Sequence, residues 1–236
     1  MAYDPLSDVL EEFGPPDGPG PVPYEEAERY RGRVPDRLIE FWVRHGWGSW
    51  RDGLFWLCDP EPLMEPMHDL FAGDPEIDAG RLVPYFRDAF GDVTCWHPEL
   101  KVVDVNPLLG RVGNTDITKK PRPGKVPFTD DTAVASGVAS AVFDFYGWID
   151  AESGVPVFEA VRERLGPLAV NEVYTMNPHF RVGGSGHAED FGVGKLVEYL
   201  YFCFQLGPIM RTRYIAPAPG ERSFGRVEEV RPIGQP

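Results

Sequence analysis

LVPYFRDAFGDVTCWHPELKVVDVNPLLGRV, residues Leu82 to Val112, decides the architecture. Strand-forming runs at Leu82 to Arg87, Val93 to His97, Lys101 to Val105 and Arg111 to Val112 follow one another with only short breaks. Gly91-Asp92, flanked by the apolar Phe90 and Val93, supplies a hairpin turn between two of them. The segment therefore reads as an antiparallel meander.

Upstream the apolar period changes to that of a helix. In the stretch from Pro35 to Gly46, Leu38, Ile39, Phe41 and Trp42 make one apolar face. Pro35 stands where a first turn tolerates proline, and Gly46 ends the helix. Tyr24 to Tyr30 is acidic and helix-compatible, and Ser7 to Phe13 fits a short helix. Between them Gly14 to Pro23 is so rich in Pro and Gly that it must be an extended connector. Gly53 to Cys58 reads as a short buried strand, and Pro60 to Phe71 as a helix or helical turn interrupted near Pro66.

Downstream, Asp130 to Tyr146 is helix-compatible, and Val155 to Leu165 places Val157, Phe158, Val161 and Leu165 on one face. Glu172 to Thr175 suits a strand. After a Gly-rich turn at Gly183 to Gly194, Lys195 to Leu206 is apolar nearly all round, the mark of a buried helix. Beyond Arg211 the expectation is a strand and then a Pro-Gly tail. There is no internal repeat and no alternating strand-helix pattern. The fold class is thus α+β, with N-terminal helices and an antiparallel meander followed by a smaller mixed C-terminal lobe of helices and strands.

At 236 residues the chain can hold one large or two small domains, and its 42% hydrophobic content is enough to fold most of it. No run approaches the roughly 20 apolar residues that span a bilayer, and Met1 to Glu12 carries acids where a signal peptide needs bases. The expectation is a soluble, cytoplasmic protein. Cys58, Cys95 and Cys203 are odd in number and set among apolar residues, which fits reduced core thiols. A net charge of −14 argues against direct binding of nucleic acid or anionic lipid and favours a basic partner.

Catalytic and metal motifs fail at named positions. Gly183-Gly184-Ser185-Gly186-His187 lacks the glycine two residues after Ser185 that a hydrolase elbow needs. Ser185, His187 and Asp190 remain as an alternative ligand or enzymatic site on that turn. Gly192-Val193-Gly194-Lys195 resembles a phosphate loop, but Glu189 and Leu196 occupy the places of its first glycine and its Ser or Thr. Cys95 and His97 share a strand face but lack two further metal ligands, so a buried thiol and a surface imidazole are expected. No metal or cofactor is expected, and no catalytic residue is assigned.

One charge pattern stands out. Asp59, Glu61, Glu65, Asp69, Asp74, Glu76 and Asp78 form a run without Lys or Arg, interleaved with Leu63, Met64, Met67, Leu70 and Phe71. Carboxylates around adaptable apolar side chains suit a docking surface for a basic protein.

These features also fall into a known pattern. Pro35, Leu38, Phe41, Trp42 and Gly46, followed by Gly53-Leu54-Phe55-Trp56 and Pro60, resemble the opening of the GAD-like domain, which is similar to the SUKH-type immunity superfamily. Phe90-Gly91-Asp92 and Val93 to Trp96 are similar to its central hairpin. Asn177-Pro178, Gly183-Gly184 and the helix with Leu196, Val197 and Leu200 resemble the C-terminal domain that accompanies it in type VI secretion immunity proteins. His187-Ala188-Glu189-Asp190 and the Pro-rich tail depart from that pattern. The division that follows is an arm and connector over 1–23, a GAD-like domain over 24–128, an immunity-type domain over 129–210, and a strand and tail over 211–236. The resemblance implies an immunity protein that binds and blocks a secreted toxin, a nuclease in the best-known cases, and that has no active site. Toxin contacts vary between such proteins, so it carries none over to this chain.

Overall fold

The structure, a computed structural model, describes residues 6–18, 20–114, 129–135, 138, 149, 154–215 and 225–234. Its meander consists of β1 (Gly48–Trp50), β2 (Phe55–Leu57), β3 (Val83–Asp88), β4 (Val93–His97), β5 (Lys101–Asn106) and β6 (Arg111–Asn114), each antiparallel to the next. All residues of β3 and β4 are buried, so this part of the sheet is covered on both faces. Pro84 lies inside β3, where the register slips between Pro84 and Phe86, and such a bulge tolerates a missing N–H.

Helices α1 (Ser7–Phe13), α2 (Tyr24–Glu28) and α3 (Asp36–His45) precede the sheet. In α3, Leu38, Ile39, Phe41 and Trp42 are buried, the face given by the apolar spacing. Gly46 ends the helix at φ 89°, and a Cβ there would lie 1.9 Å from the Gly20 carbonyl oxygen. The connector is therefore extended but not loose. Asp17 and Ser49 exchange backbone hydrogen bonds at 2.7 Å, laying it along the β1 edge, and the Trp50 indole donates to Gly14 O at 2.8 Å. A sheet edge covered in this way is closed to other strands.

Helix α4 (Glu61–Leu70) runs through Pro66 without a break, contrary to the interruption expected there. The carbonyl left over by the missing N–H belongs to exposed Pro62, where water can satisfy it. Of the helix expected over Asp130 to Tyr146, residues 130–135 and 138 are helical and the others lie outside the described residues.

The second lobe contains α5 (Val157–Leu165), the antiparallel ribbon β7 (Glu172–Met176) with β8 (Phe191–Lys195), and α6 (Leu196–Gln205) packed against that ribbon. β8 occupies part of the expected Gly-rich turn. Its glycines face Thr175, where a Cβ on Gly194 would meet the Thr175 methyl at 2.6 Å. The lobe is fastened to the sheet around Arg87 to Phe90. Tyr174 N donates to Ala89 O at 2.8 Å, and the Arg87 guanidinium donates to Val170 O at 2.8 Å and Glu172 O at 3.2 Å. Phe90 packs there against Tyr174 and Phe191, with ring centroids 5.8 and 5.1 Å apart.

After α6 the chain returns to the sheet. β9 (Met210–Ile215) pairs parallel with β6, and β10 (Arg226–Pro232) pairs antiparallel with β9, making an eight-stranded sheet. The second of these strands lies in what reads as a Pro-Gly tail. Arg231 holds it down by pairing with Asp74 in the turn after α4.

Candidate functional site

The acidic run divides in two when folded. Glu61, Glu65 and Asp69 recur every four residues of α4 and so share one stripe, and all three are exposed. On the opposite side Leu63, Met67 and Phe71 enter the core, while Met64 and Leu70 are half-buried. Asp59 precedes the helix and its Oδ1 accepts from Glu61 N at 3.0 Å, although burial raises its carboxyl pKa. Glu61 also meets Arg29 of α2 at 3.2 Å.

The other three acids serve the fold. The Asp74 side chain is fully enclosed, accepting two bonds from Arg231 and others from the backbone N–H groups of Glu76, Ile77 and Gly234. Burial alone would raise its pKa, but these donors outweigh it and hold the carboxyl at about 2. Asp74 is thus withdrawn from the surface. Glu76 lies 3.2 Å from Arg231 and 3.7 Å from Arg211, and Asp78 accepts from Gly80 N at 3.0 Å.

Helix α6 adds what apolar content concealed. It was expected to be buried all round, but only Leu196, Tyr199, Leu200 and Cys203 are. Glu198, Phe202 and Gln205 are exposed and Tyr201 is half-buried. Tyr201 donates its hydroxyl to Asp69 at 2.7 Å, joining α6 to the acidic stripe of α4. That hydrogen bond, with the charges of Asp69 and Glu65, raises the Tyr201 pKa to about 12. The signal for this face was Glu198, the one charged residue of α6, which marks the side turned to solvent.

The turn with Ser185, His187 and Asp190 is organised by Asp190. Its Oδ2 accepts from the Ser185 hydroxyl, from Ser185 N at 3.1 Å and from Gly186 N at 2.9 Å. Ser185 Oγ is 3.5 Å from His187 N, a backbone atom. The serine is therefore committed to bracing the loop, with its proton on a carboxylate whose pKa that hydrogen bond lowers. Gly192 to Lys195 form a strand rather than a phosphate-binding turn, and Lys195 Nζ lies 3.2 Å from Glu172.

His97 is buried rather than on the surface. Its Nδ1 accepts from Glu99 N at 3.2 Å and Leu100 N at 3.1 Å, tying the turn between β4 and β5. Cys58, Cys95 and Cys203 are free and buried, and burial pushes the Cys203 thiol up to about 12 even with the His179 ring 3.5 Å away. Among the described residues no three metal-capable side chains gather at one place.

Two family models match the chain. The first, the GAD-like domain, covers residues 4–109 and so takes in the helices and most of the meander. This region of the chain is a GAD-like domain. The second, "T6SS immunity protein Tdi1, C-terminal", covers residues 147–207, and with it the chain is a member of the GAD-like, type VI secretion immunity family. No curated protein matches it. Among solved structures it is similar to the "Crystal structure of Atu4351 from Agrobacterium tumefaciens", with a TM-score of 0.77, 24% identity and 98% of each chain covered, a likeness of fold. No helix among the described residues is long and apolar enough to cross a membrane.

Proposed function

We propose that this protein neutralises a cognate secreted toxin in the cytoplasm by binding it and covering its working surface, without catalysis of its own. The toxin is a basic protein, and a nuclease fits best because a phosphate-binding groove must be cationic. An immunity role is supported by the matched C-terminal domain. The observation that carries the binding mode is the outward stripe of Glu61, Glu65 and Asp69, in a chain of net charge −14. Such a surface attracts a cationic groove at long range and accelerates encounter. Loss of solvation when the groove is covered then makes the opposed charges specific for one partner.

The experiment is co-expression. Cells that produce the basic protein encoded beside this gene are expected to survive only when this chain is present, and the two proteins to copurify. Death of the cells despite full expression of this chain would end the proposal.

A further inference from the structure

Phe202 lies 47% exposed on α6, with its ring packed against two neighbouring rings. Its ring stacks on Tyr199 with centroids 6.1 Å apart and planes 21° from parallel, and meets the His179 ring edge-on at 6.3 Å. Tyr199 is itself fixed, since its hydroxyl accepts from Met176 N at 3.1 Å. On the other flank of the same exposed face, Tyr201 is fixed by Asp69. Glu198 lies between them by helical spacing, four residues before Phe202 and three before Tyr201.

Neither α4 nor α6 contains a Lys or Arg. Arg29 offsets Glu61, while Glu65, Asp69 and Glu198 give the surface its charge. A rigid ring facing water gains by being covered, and the surrounding carboxylates select what covers it. A guanidinium satisfies both demands, stacking its plane on an aromatic face while its N–H fork reaches a carboxylate.

We propose that α6 supplies the aromatic anchor of the toxin-binding surface. Phe202 and Tyr201, with Glu65, Asp69 and Glu198, receive an arginine-bearing segment of the basic partner. This rests on the toxin-binding reading above and extends it, because the surface then draws on both matched regions, 4–109 and 147–207. Acids of α4 set the rate of encounter, and the fixed rings of α6 set the lifetime of the complex.

The test measures binding of the full-length chain to the full-length product of the adjacent reading frame by interferometry. Phe202→Ala is expected to weaken binding at least tenfold through faster dissociation, and Phe202→Leu by less. Glu65→Lys should slow association severalfold. Val227→Ala, an exposed change on β10, should bind as wild type does. All three side chains are exposed, so thermal melting should stay within a few degrees of wild type, and Phe202→Leu decides the matter if Phe202→Ala melts early. Wild-type binding with the Phe202 and Glu65 variants unaffected overturns the anchor but leaves the toxin reading. Absence of wild-type binding and of cell protection overturns both.

Discussion

Arg231 grips Asp74 with both arms of its guanidinium, Nη1 to Oδ2 at 2.7 Å and Nη2 to Oδ1 at 2.8 Å, across a sequence separation of 157 residues. A bidentate pair of this kind is strong because both hydrogen bonds are charge-assisted and share one geometry. Here it fixes β10 to the turn that leaves α4, so the end of the sheet and the base of the acidic helix hold each other in place. Arg231→Ala would leave the enclosed Asp74 carboxylate without its cation. The expected cost is about 3 kcal/mol, read as a lower urea midpoint.

The same pair sets an acid limit. The Asp74 carboxyl is held at about 2, below its ordinary value near 4. A depressed carboxyl stabilises the fold above the unfolded pKa, and that stabilisation is lost as pH falls from about 4 towards 2. Asp74→Asn should therefore be less stable than wild type at neutral pH and converge with it in acid, as chemical denaturation at a series of pH values would reveal.

Asp88 works in the opposite sense. Burial raises its pKa, against the pull of the Phe90 and Asp92 N–H groups, each 2.9 Å from Oδ1. A raised carboxyl costs stability as pH climbs from the ordinary value near 4 to the folded one. Asp88→Asn keeps the Oδ1 acceptor and removes the charge, and the unpartnered amide N–H groups it buries at the Oδ2 position offset part of the gain. The variant should be more stable than wild type at pH 8 by about 1 kcal/mol and lose the decline between pH 5 and 7.

Arg87 is one joint between the lobes. Its guanidinium lies 3.4 Å from the Trp56 ring centroid and donates to carbonyls of Asp88, Val170 and Glu172. Burial lowers its pKa to about 10, so it stays charged at neutral pH. Lysine has neither the planar ring contact nor the fork, and Arg87→Lys should cost about 2 kcal/mol or more. Because the lost bonds end at residues 170 and 172, hydrogen exchange should speed up in β7 before it does in α3.

Gly46 is as constrained. At φ 89° and with the Gly20 carbonyl in the place of a Cβ, Gly46→Ala must push the connector off α3. A loss of about 3 kcal/mol and faster proteolysis before Val22 are expected.

If the toxin reading holds, salt should separate encounter from lifetime. Raising sodium chloride from 0.05 to 0.5 M is expected to slow association about tenfold and to change dissociation little, as stopped-flow mixing would measure.

The local parts of this fold were legible. Leu38, Ile39, Phe41 and Trp42 announce α3 because its core face is written within ten residues, and Gly91-Asp92 announces the hairpin by its own turn chemistry. What stayed hidden depends on distant partners. β8 carries two glycines, and only Thr175 across the ribbon explains them. β10 sits among prolines and glycines and is secured by Asp74, far away in sequence. For the candidate site, charge located the α4 stripe but could not tell Glu65, which faces water, from Asp74, which does not. The rings of α6 were hidden because apolar content reports how much a helix buries and not which side remains uncovered.

The parallel register of Arg111 with Met210 has an evolutionary consequence. These two neighbours, 99 residues apart in sequence, stand side by side where β9 joins β6, and the matched regions, ending at 109 and 207, divide close to them. The second lobe is therefore a cassette. Exchange of one such lobe for another between β6 and β9 would leave every strand pairing of β1 to β6 in place, so the exposed face of α6 can be renewed without the meander having to fold differently.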